Sequence, residues 1–138
     1  MKTSEPDNFT KHYIIAALWS STDAEGNPLD GKYDLSDFAP EALAQAMEEC
    51  SRFRAENAPL LQHAYDSSEY RNNEAHPDNN GDGLEAMAGH DFWLSRNGHG
   101  AGFFDRGNAR FWSGLQSAAR DTGMRDIYAG DDDQLYFS

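Results

Sequence analysis

The sequence contains very little cysteine, valine and lysine. Of its 138 residues, one is cysteine (Cys50), none is valine and three are lysine. A single cysteine excludes an intramolecular disulfide framework. There is no apolar run of about 18 residues and no apolar leader, which argues against a membrane span or a secretory signal. Composition therefore favours one cytoplasmic domain, long enough to bury a hydrophobic core without disulfides or a structural metal.

The charge balance is strongly acidic. The chain carries 24 acidic and 11 basic side chains, for a formal net charge of -13. Direct binding to nucleic acid or anionic lipid is disfavoured, because both need a basic face. A surface of about 7,200 Å² would carry about one net charge per 550 Å², whereas duplex DNA carries about one per 100 Å². Mimicry of DNA would need carboxylates clustered on one face; otherwise the acidity only favours solubility.

Four helices are predicted from apolar periodicity and helix-start signals. Apolar residues recur at helical spacing over 9–19, and a helix begins at Pro40, which suits a first turn. The Pro40 helix places Cys50 on its buried face and ends near Asn57. A short helix is expected near 60–65. The fourth is expected to begin after Asn108, a preferred capping residue, and to run to about Asp121.

Two β-hairpins are predicted from aromatic runs that flank turn residues. The first is expected within 90–105, around the turn at 97–100, and the second over 127–137. The order gives an α+β fold: N-terminal helices, an aromatic hairpin, a C-terminal helix and a second hairpin, with a small antiparallel sheet. Residues 1–138 would form a single acidic domain. The polar segment at about 66–87 is expected to be a mobile loop.

Two acidic segments are the candidate binding surface for a basic protein partner. Carboxylates can pair with the lysine and arginine side chains that normally hold phosphates. The candidate residues are Asp23, Glu25, Asp30, Asp34 and Asp37 of the first loop, and Asp131, Asp132 and Asp133 of the second hairpin.

A second candidate site resembles the first half of a calcium-binding loop. Asp78, Asn80 and Asp82 supply oxygen ligands at positions 1, 3 and 5, and Gly83 occupies position 6, where such loops turn sharply. Position 12 should hold a bidentate glutamate but is Gly89. Calcium is therefore the only cofactor that the sequence suggests, and its binding would be weak.

A third candidate site is built on histidine. His90 and His99, with Asp91 and Asp105, surround a glycine-rich turn, and a carboxylate beside an imidazole is an arrangement used for general-base chemistry. No serine or cysteine nucleophile motif accompanies them. The alternative is that the glycines shape a turn and that Asp105 and Arg106 form a local ion pair.

The segment at 90–107, with sequence HDFWLSRNGHGAGFFDRG, resembles a block found in small acidic proteins of phages and prophages. Residues 16–23 and 128–132 resemble other parts of the same proteins, whereas 70–84 looks like additional material. The resemblance implies a genomic setting rather than an activity. Mobile elements must coexist with, or defeat, the nucleic-acid enzymes of their host.

These observations lead to one main functional hypothesis and two alternatives. The main hypothesis is a non-enzymatic phage or mobile-element accessory protein that inhibits a basic, nucleic-acid-handling host protein, by DNA mimicry of the anti-restriction or anti-CRISPR type. The alternatives are a calcium-responsive binding module and a small hydrolase that uses His90 or His99. If the protein is a homodimer, two acidic faces could join into one longer strip.

Overall fold

The computed structural model describes residues 6–23, 25–72, 83–98 and 102–138. The α+β fold class predicted from the sequence is confirmed, since helices predominate and a two-stranded antiparallel sheet lies near the C-terminus. The described residues also form short 3₁₀ turns at Leu29–Gly31, Leu35–Asp37 and Phe103–Asp105. The described helices and strands are α1 (Asn8–Ser20), α2 (Pro40–Glu56), α3 (Ala58–Asp66), α4 (Ser68–Arg71), α5 (Leu84–Arg96), α6 (Arg110–Asp121), β1 (Ile127–Ala129) and β2 (Leu135–Phe137).

The predicted helices α1, α2, α3 and α6 are confirmed. The Asp7 side chain caps α1 by accepting a hydrogen bond from the backbone N–H of Thr10 at 2.8 Å. Pro40 is the first residue of α2, where its missing N–H has no intrahelical partner. The prediction that Asn108 caps α6 is wrong. Ala109 occupies the N-cap position, and no side chain makes the capping hydrogen bond there.

The predicted aromatic hairpin at 90–105 is wrong. Residues up to Arg96 belong to α5, and Phe103–Asp105 form a 3₁₀ turn. The physical reason is that α5 is buried on nearly all sides, so its sequence has no polar face and lacks the helical period that usually identifies a helix. Phe92 and Trp93, adjacent in sequence, are both buried.

The predicted mobile loop at 66–87 is wrong at both ends. Helix α4 lies near its start, and the first turn of α5 covers its end. Tyr70 is fully buried, and its hydroxyl donates a hydrogen bond to Asp91 at 2.7 Å, which fixes α4 to α5. The middle of the segment, 73–82, lies outside the described residues.

The core forms where α1 packs closely against α5. Gly89 makes this approach possible, because a Cβ at that position would lie 1.9 Å from the carbonyl oxygen of Phe9. Phe92 of α5 stacks on Phe53 of α2 with ring centroids 4.1 Å apart. As predicted, Cys50 is buried in this core.

The second predicted hairpin is confirmed. Strand β1 pairs with β2 in antiparallel register, with Tyr128 opposite Tyr136 and Ala129 opposite Leu135. Alternation along the strands turns Ile127 and Leu135 into the core. Within the described ranges, none of the helices is long and apolar enough to cross a membrane.

Candidate functional site

The first acidic loop is ordered by its own carboxylates. Thr22 and Pro28 form an isolated antiparallel bridge, and between them the Asp23 side chain accepts hydrogen bonds from the backbone N–H groups of Glu25 and Asn27, each at 2.9 Å. The Asp34 side chain accepts from the backbone N–H of Ser36. The backbone N–H of Asp34 in turn donates to the Asp37 side chain at 2.8 Å, completing a capping box. These carboxylates therefore hold defined positions.

The second acidic segment is the turn of the β-hairpin. Asp133 adopts a left-handed conformation, with φ of 62°, and closes the turn with a hydrogen bond from its N–H to the carbonyl oxygen of Gly130 at 2.9 Å. Asp132 accepts from the backbone N–H of Gln134 at 3.0 Å and from the hydroxyl of Tyr136 at 2.5 Å. Asp131 is exposed at the tip.

The structure brings these two segments together. The hydroxyl of Tyr33, in the first loop, donates a hydrogen bond to the carboxylate of Asp133 at 2.8 Å, across 100 positions of sequence. Phe38 and Leu135 form an isolated parallel bridge, and the N–H of Ala39 donates to the carbonyl oxygen of Leu135 at 3.0 Å. We call the combined region the acidic surface, defined by Asp23, Glu25, Asp30, Asp34, Asp37, Asp131, Asp132 and Asp133.

The acidic surface carries one basic residue in the two segments that form it, Lys32. The pKa of Lys32 is raised, chiefly by the adjacent Tyr33 and then by Asp133 and Asp23. Hydrogen bonds from the hydroxyl and backbone N–H of Ser36 lower the pKa of Asp34, and hydrogen bonds from Tyr136 and Gln134 lower that of Asp132. These carboxylates therefore stay ionised well below neutral pH, and the surface keeps a net negative charge.

Three members of the acidic surface have carboxylates that the turns do not use. Among the described residues, no hydrogen bond within the chain involves the side chains of Glu25, Asp30 or Asp131, and all three residues are exposed. Each ionised carboxylate can accept about four hydrogen bonds. These three side chains are therefore the positions at which charge can be removed with the least effect on the fold.

The histidine candidate site has a different organisation from the one predicted. Asp91 is buried and receives a bidentate ion pair from Arg106, with distances of 2.8 and 2.9 Å to Nε and Nη2. Burial opposes ionisation, but hydrogen bonds from His90, Arg106 and Tyr70 outweigh it and lower the pKa of Asp91. The expected local ion pair of Arg106 with Asp105 is replaced by this longer-range pair.

His90 lies at the edge of this ion pair. Its Nδ1 is 3.3 Å from Asp91 Oδ1, its side chain is 40% exposed, and its ring is 6.0 Å from that of Trp19. His99, the other histidine of the candidate site, lies outside the described residues. Because the charge of Asp91 is already paired with a guanidinium, the cluster is built to hold α4, α5 and the 3₁₀ turn at Phe103–Asp105 together.

A second ion-pair network was not predicted from the sequence. Arg96 is 3% exposed and donates to Glu49 at 2.6 Å, to the hydroxyl of Tyr13 at 2.8 Å and to two backbone carbonyls after α6. Arg125 also pairs with Glu49, at 2.5 Å. The network lines an open cleft of about 460 Å³. The charged side chains that line the cleft are three acidic and three basic ones, so their formal charges balance: Glu49, Glu56, Asp121, Arg52, Arg96 and Arg125. The cleft therefore does not extend the acidic surface.

The calcium hypothesis rests on residues that the structure does not describe. Asp78, Asn80 and Asp82 all lie in the gap between residues 72 and 83. Across the described ranges, no group of three or more His, Cys, Asp or Glu side chains is arranged to hold a metal ion. The carboxylates of the acidic surface are thus not arranged as a metal centre.

Comparisons of the chain with protein-family models, with curated proteins and with solved structures found no match. Any function for the chain must therefore be inferred from geometry and charge, and the acidic surface is the charged region of one sign that the structure assembles from distant parts of the sequence.

Proposed function

We propose that the protein binds a basic, nucleic-acid-handling protein through the acidic surface and blocks the site at which that protein holds nucleic acid. The observation that carries the proposal is the hydrogen bond from Tyr33 to Asp133, together with the Phe38–Leu135 bridge. These contacts join two acidic segments that are remote in sequence. Charge that is dispersed along the chain becomes local.

The chemistry of the surface favours a cationic partner. Eight carboxylates are accompanied by a single lysine in these segments. Four of the eight accept hydrogen bonds within their own turns, and a fifth, that of Asp133, accepts one from Tyr33 of the other segment. Lysine and arginine side chains that bind phosphate oxygens also bind carboxylates, with charge-assisted hydrogen bonds. Association should be fast and sensitive to salt, because it is steered by opposite charges.

The setting of this function follows from the resemblance to small acidic phage and prophage proteins. We place the protein in the bacterial cytoplasm as a non-enzymatic accessory protein of a mobile element. The targets with the right chemistry are restriction, CRISPR or repair proteins, whose nucleic-acid channels are lined by basic residues.

The test begins with capture from host lysate at low salt. Tagged protein would be immobilised, and bound proteins would be eluted with a salt gradient and identified by mass spectrometry. The test variant is the triple substitution Glu25→Gln/Asp30→Asn/Asp131→Asn, which removes three exposed charges without removing a turn hydrogen bond, and the wild-type protein is its reference. At roughly 0.2–1 kcal/mol per exposed ion pair, the variant should bind the target about tenfold more weakly.

The identified protein would then be purified and assayed for nucleic-acid binding. The wild-type protein should inhibit that binding competitively, and the triple variant should need a higher concentration for the same inhibition. The proposal is wrong if the interaction is unchanged between low and high salt, or if the triple variant inhibits as well as the wild type.

A further inference from the structure

The outer face of the β-hairpin presents two tyrosines, of which Tyr128 is exposed and Tyr136 is partly buried against the core. Tyr128 and Tyr136 are directly opposite each other on the paired strands, and their rings stack with centroids 5.7 Å apart at an interplanar angle of 23°. Ile127 and Leu135, on the other face, are buried. Tyr128 is 50% exposed, so the hairpin carries an aromatic surface beside the acidic turn.

The turn holds one of these rings in place. The Tyr136 ring lies over Gly130, where an added Cβ would come within 2.7 Å of its Cε1 atom. The hydroxyl of Tyr136 donates to Asp132 at 2.5 Å. This hydrogen bond, with burial and the charges of Asp132 and Glu41, raises the pKa of Tyr136 to about 12, so the phenol remains protonated at neutral pH. The side chain of Tyr136 therefore has little conformational freedom left to lose when a ligand binds.

We propose that Tyr128 and Tyr136, together with the adjacent Asp131 and Asp132, form a binding site for an arginine side chain of the basic partner. The planar guanidinium can stack on an aromatic ring while its N–H groups donate to a neighbouring carboxylate. This inference rests on the proposed function, since it names the side chain by which that partner is recognised.

Charge and the shape of the cationic group favour an arginine over the other occupants of an exposed aromatic face. A second copy of this chain would bring the same acidic turn to the interface, and the two copies each carry a formal charge of -13. Lysine is a weaker fit, because its compact ammonium group cannot stack in a plane or pair in a bidentate manner. The aromatic pair therefore adds selectivity for arginine to a surface that attracts any cation.

The experiment compares two peptide probes, hexa-arginine and hexa-lysine, by isothermal titration calorimetry at low salt. The wild-type protein should bind hexa-arginine about two- to fivefold more tightly, which is the range expected for a cation–π contact at an exposed site. Tyr128→Leu should lower the affinity for hexa-arginine to that for hexa-lysine and leave hexa-lysine unaffected. Asp131→Asn should weaken both peptides.

The control variant is Phe104→Leu, which removes another exposed aromatic ring, on the 3₁₀ turn outside the hairpin. It should leave both affinities unchanged, and thermal melts should show that every variant is folded. Equal, salt-sensitive binding of the two peptides to the wild type would overturn the arginine site and leave the proposed function standing. No salt-sensitive binding of either peptide would contradict both. A wild-type dimer that Tyr128→Leu dissociates would overturn the arginine site in favour of a second copy.

Discussion

The buried ion pair between Asp91 and Arg106 provides the sharpest test of how this fold is held together. The carboxylate is 1% exposed, the guanidinium is 26% exposed, and the two meet in a bidentate arrangement. Replacing Arg106 by methionine keeps much of the side-chain volume but leaves a buried carboxylate without its cation. Such an uncompensated charge costs about 3–5 kcal/mol.

The size of the effect follows from the length of the chain. For 138 residues, an unfolding entropy of about 2.1 cal/mol/K per residue gives about 0.29 kcal/mol/K near the midpoint. A loss of about 3–5 kcal/mol therefore lowers the melting temperature by roughly 10–17 °C. Asp91→Asn should cost less, because the Arg106 left behind is partly exposed and can be hydrated.

The assay is urea denaturation followed by tryptophan fluorescence, since Trp93 and Trp112 are buried in the native state. A double-mutant cycle adds the variant that carries both changes. The double variant should lose less unfolding free energy than the two single variants added together, because it leaves no charge buried alone. Arg71→Met is the matched control. Its ion pair is exposed and 3.4 Å long, so it should cost less than about 1 kcal/mol.

The pH dependence supplies a second readout with a defined sign. In the wild type the pKa of Asp91 is lowered, so its contribution to stability is present above the unfolded value of about 3.9 and is lost as pH falls through the folded value. Without Arg106, burial raises this pKa instead, and protonation relieves the cost. The stability gap between Arg106→Met and wild type should narrow from pH 7 to pH 4. A gap below about 1 kcal/mol, or one independent of pH, would refute this reasoning.

Two further predictions concern the acidic surface and the core. Tyr33→Phe removes the hydrogen bond to Asp133 and should cost about 1 kcal/mol in urea denaturation, whereas Asp133→Asn keeps an acceptor and should cost less; equal losses would contradict the assignment of this bond. Gly89→Ala places a Cβ 1.9 Å from the Phe9 carbonyl oxygen, so we expect a loss of about 3 kcal/mol or more by the same measurement. Gly31→Ala, which meets no neighbour within 4 Å, is its control and should have little effect.

The sequence predicted α1, most of whose residues are buried, and also helices with one buried and one exposed face. Helix α6 is an example, since Trp112, Leu115 and Ala119 recur at helical spacing and all are buried. Helix α5 was missed because it packs on several sides at once, and Phe92–Trp93 beside a glycine-rich segment favoured a hairpin. Periodicity reports contact with one neighbour, and a helix surrounded by several neighbours shows it less clearly.

The candidate site was predictable in composition but not in arrangement. The acidic residues could be read directly, yet their adjacency depends on the contact of Tyr33 with Asp133, and no local pattern indicates a hydrogen bond across 100 positions. The same applies to Arg106, whose expected partner was its neighbour Asp105 and whose observed partner is Asp91. Pairings of this kind are set by tertiary packing, which propensity and spacing do not encode.

The arrangement of the acidic surface also bears on what it can achieve as an inhibitor. Carboxylates such as Asp23, Asp34 and Asp132 accept hydrogen bonds from their own turns, and this fixes their charges in position before any partner arrives. A preorganised surface loses less conformational entropy on binding than a flexible acidic tail of the same charge. We therefore expect the affinity for a basic partner to depend on the fold as well as on the charge. Unfolding the protein, or removing the hydrogen bond that positions Asp133 by Tyr33→Phe, should weaken binding although every carboxylate remains.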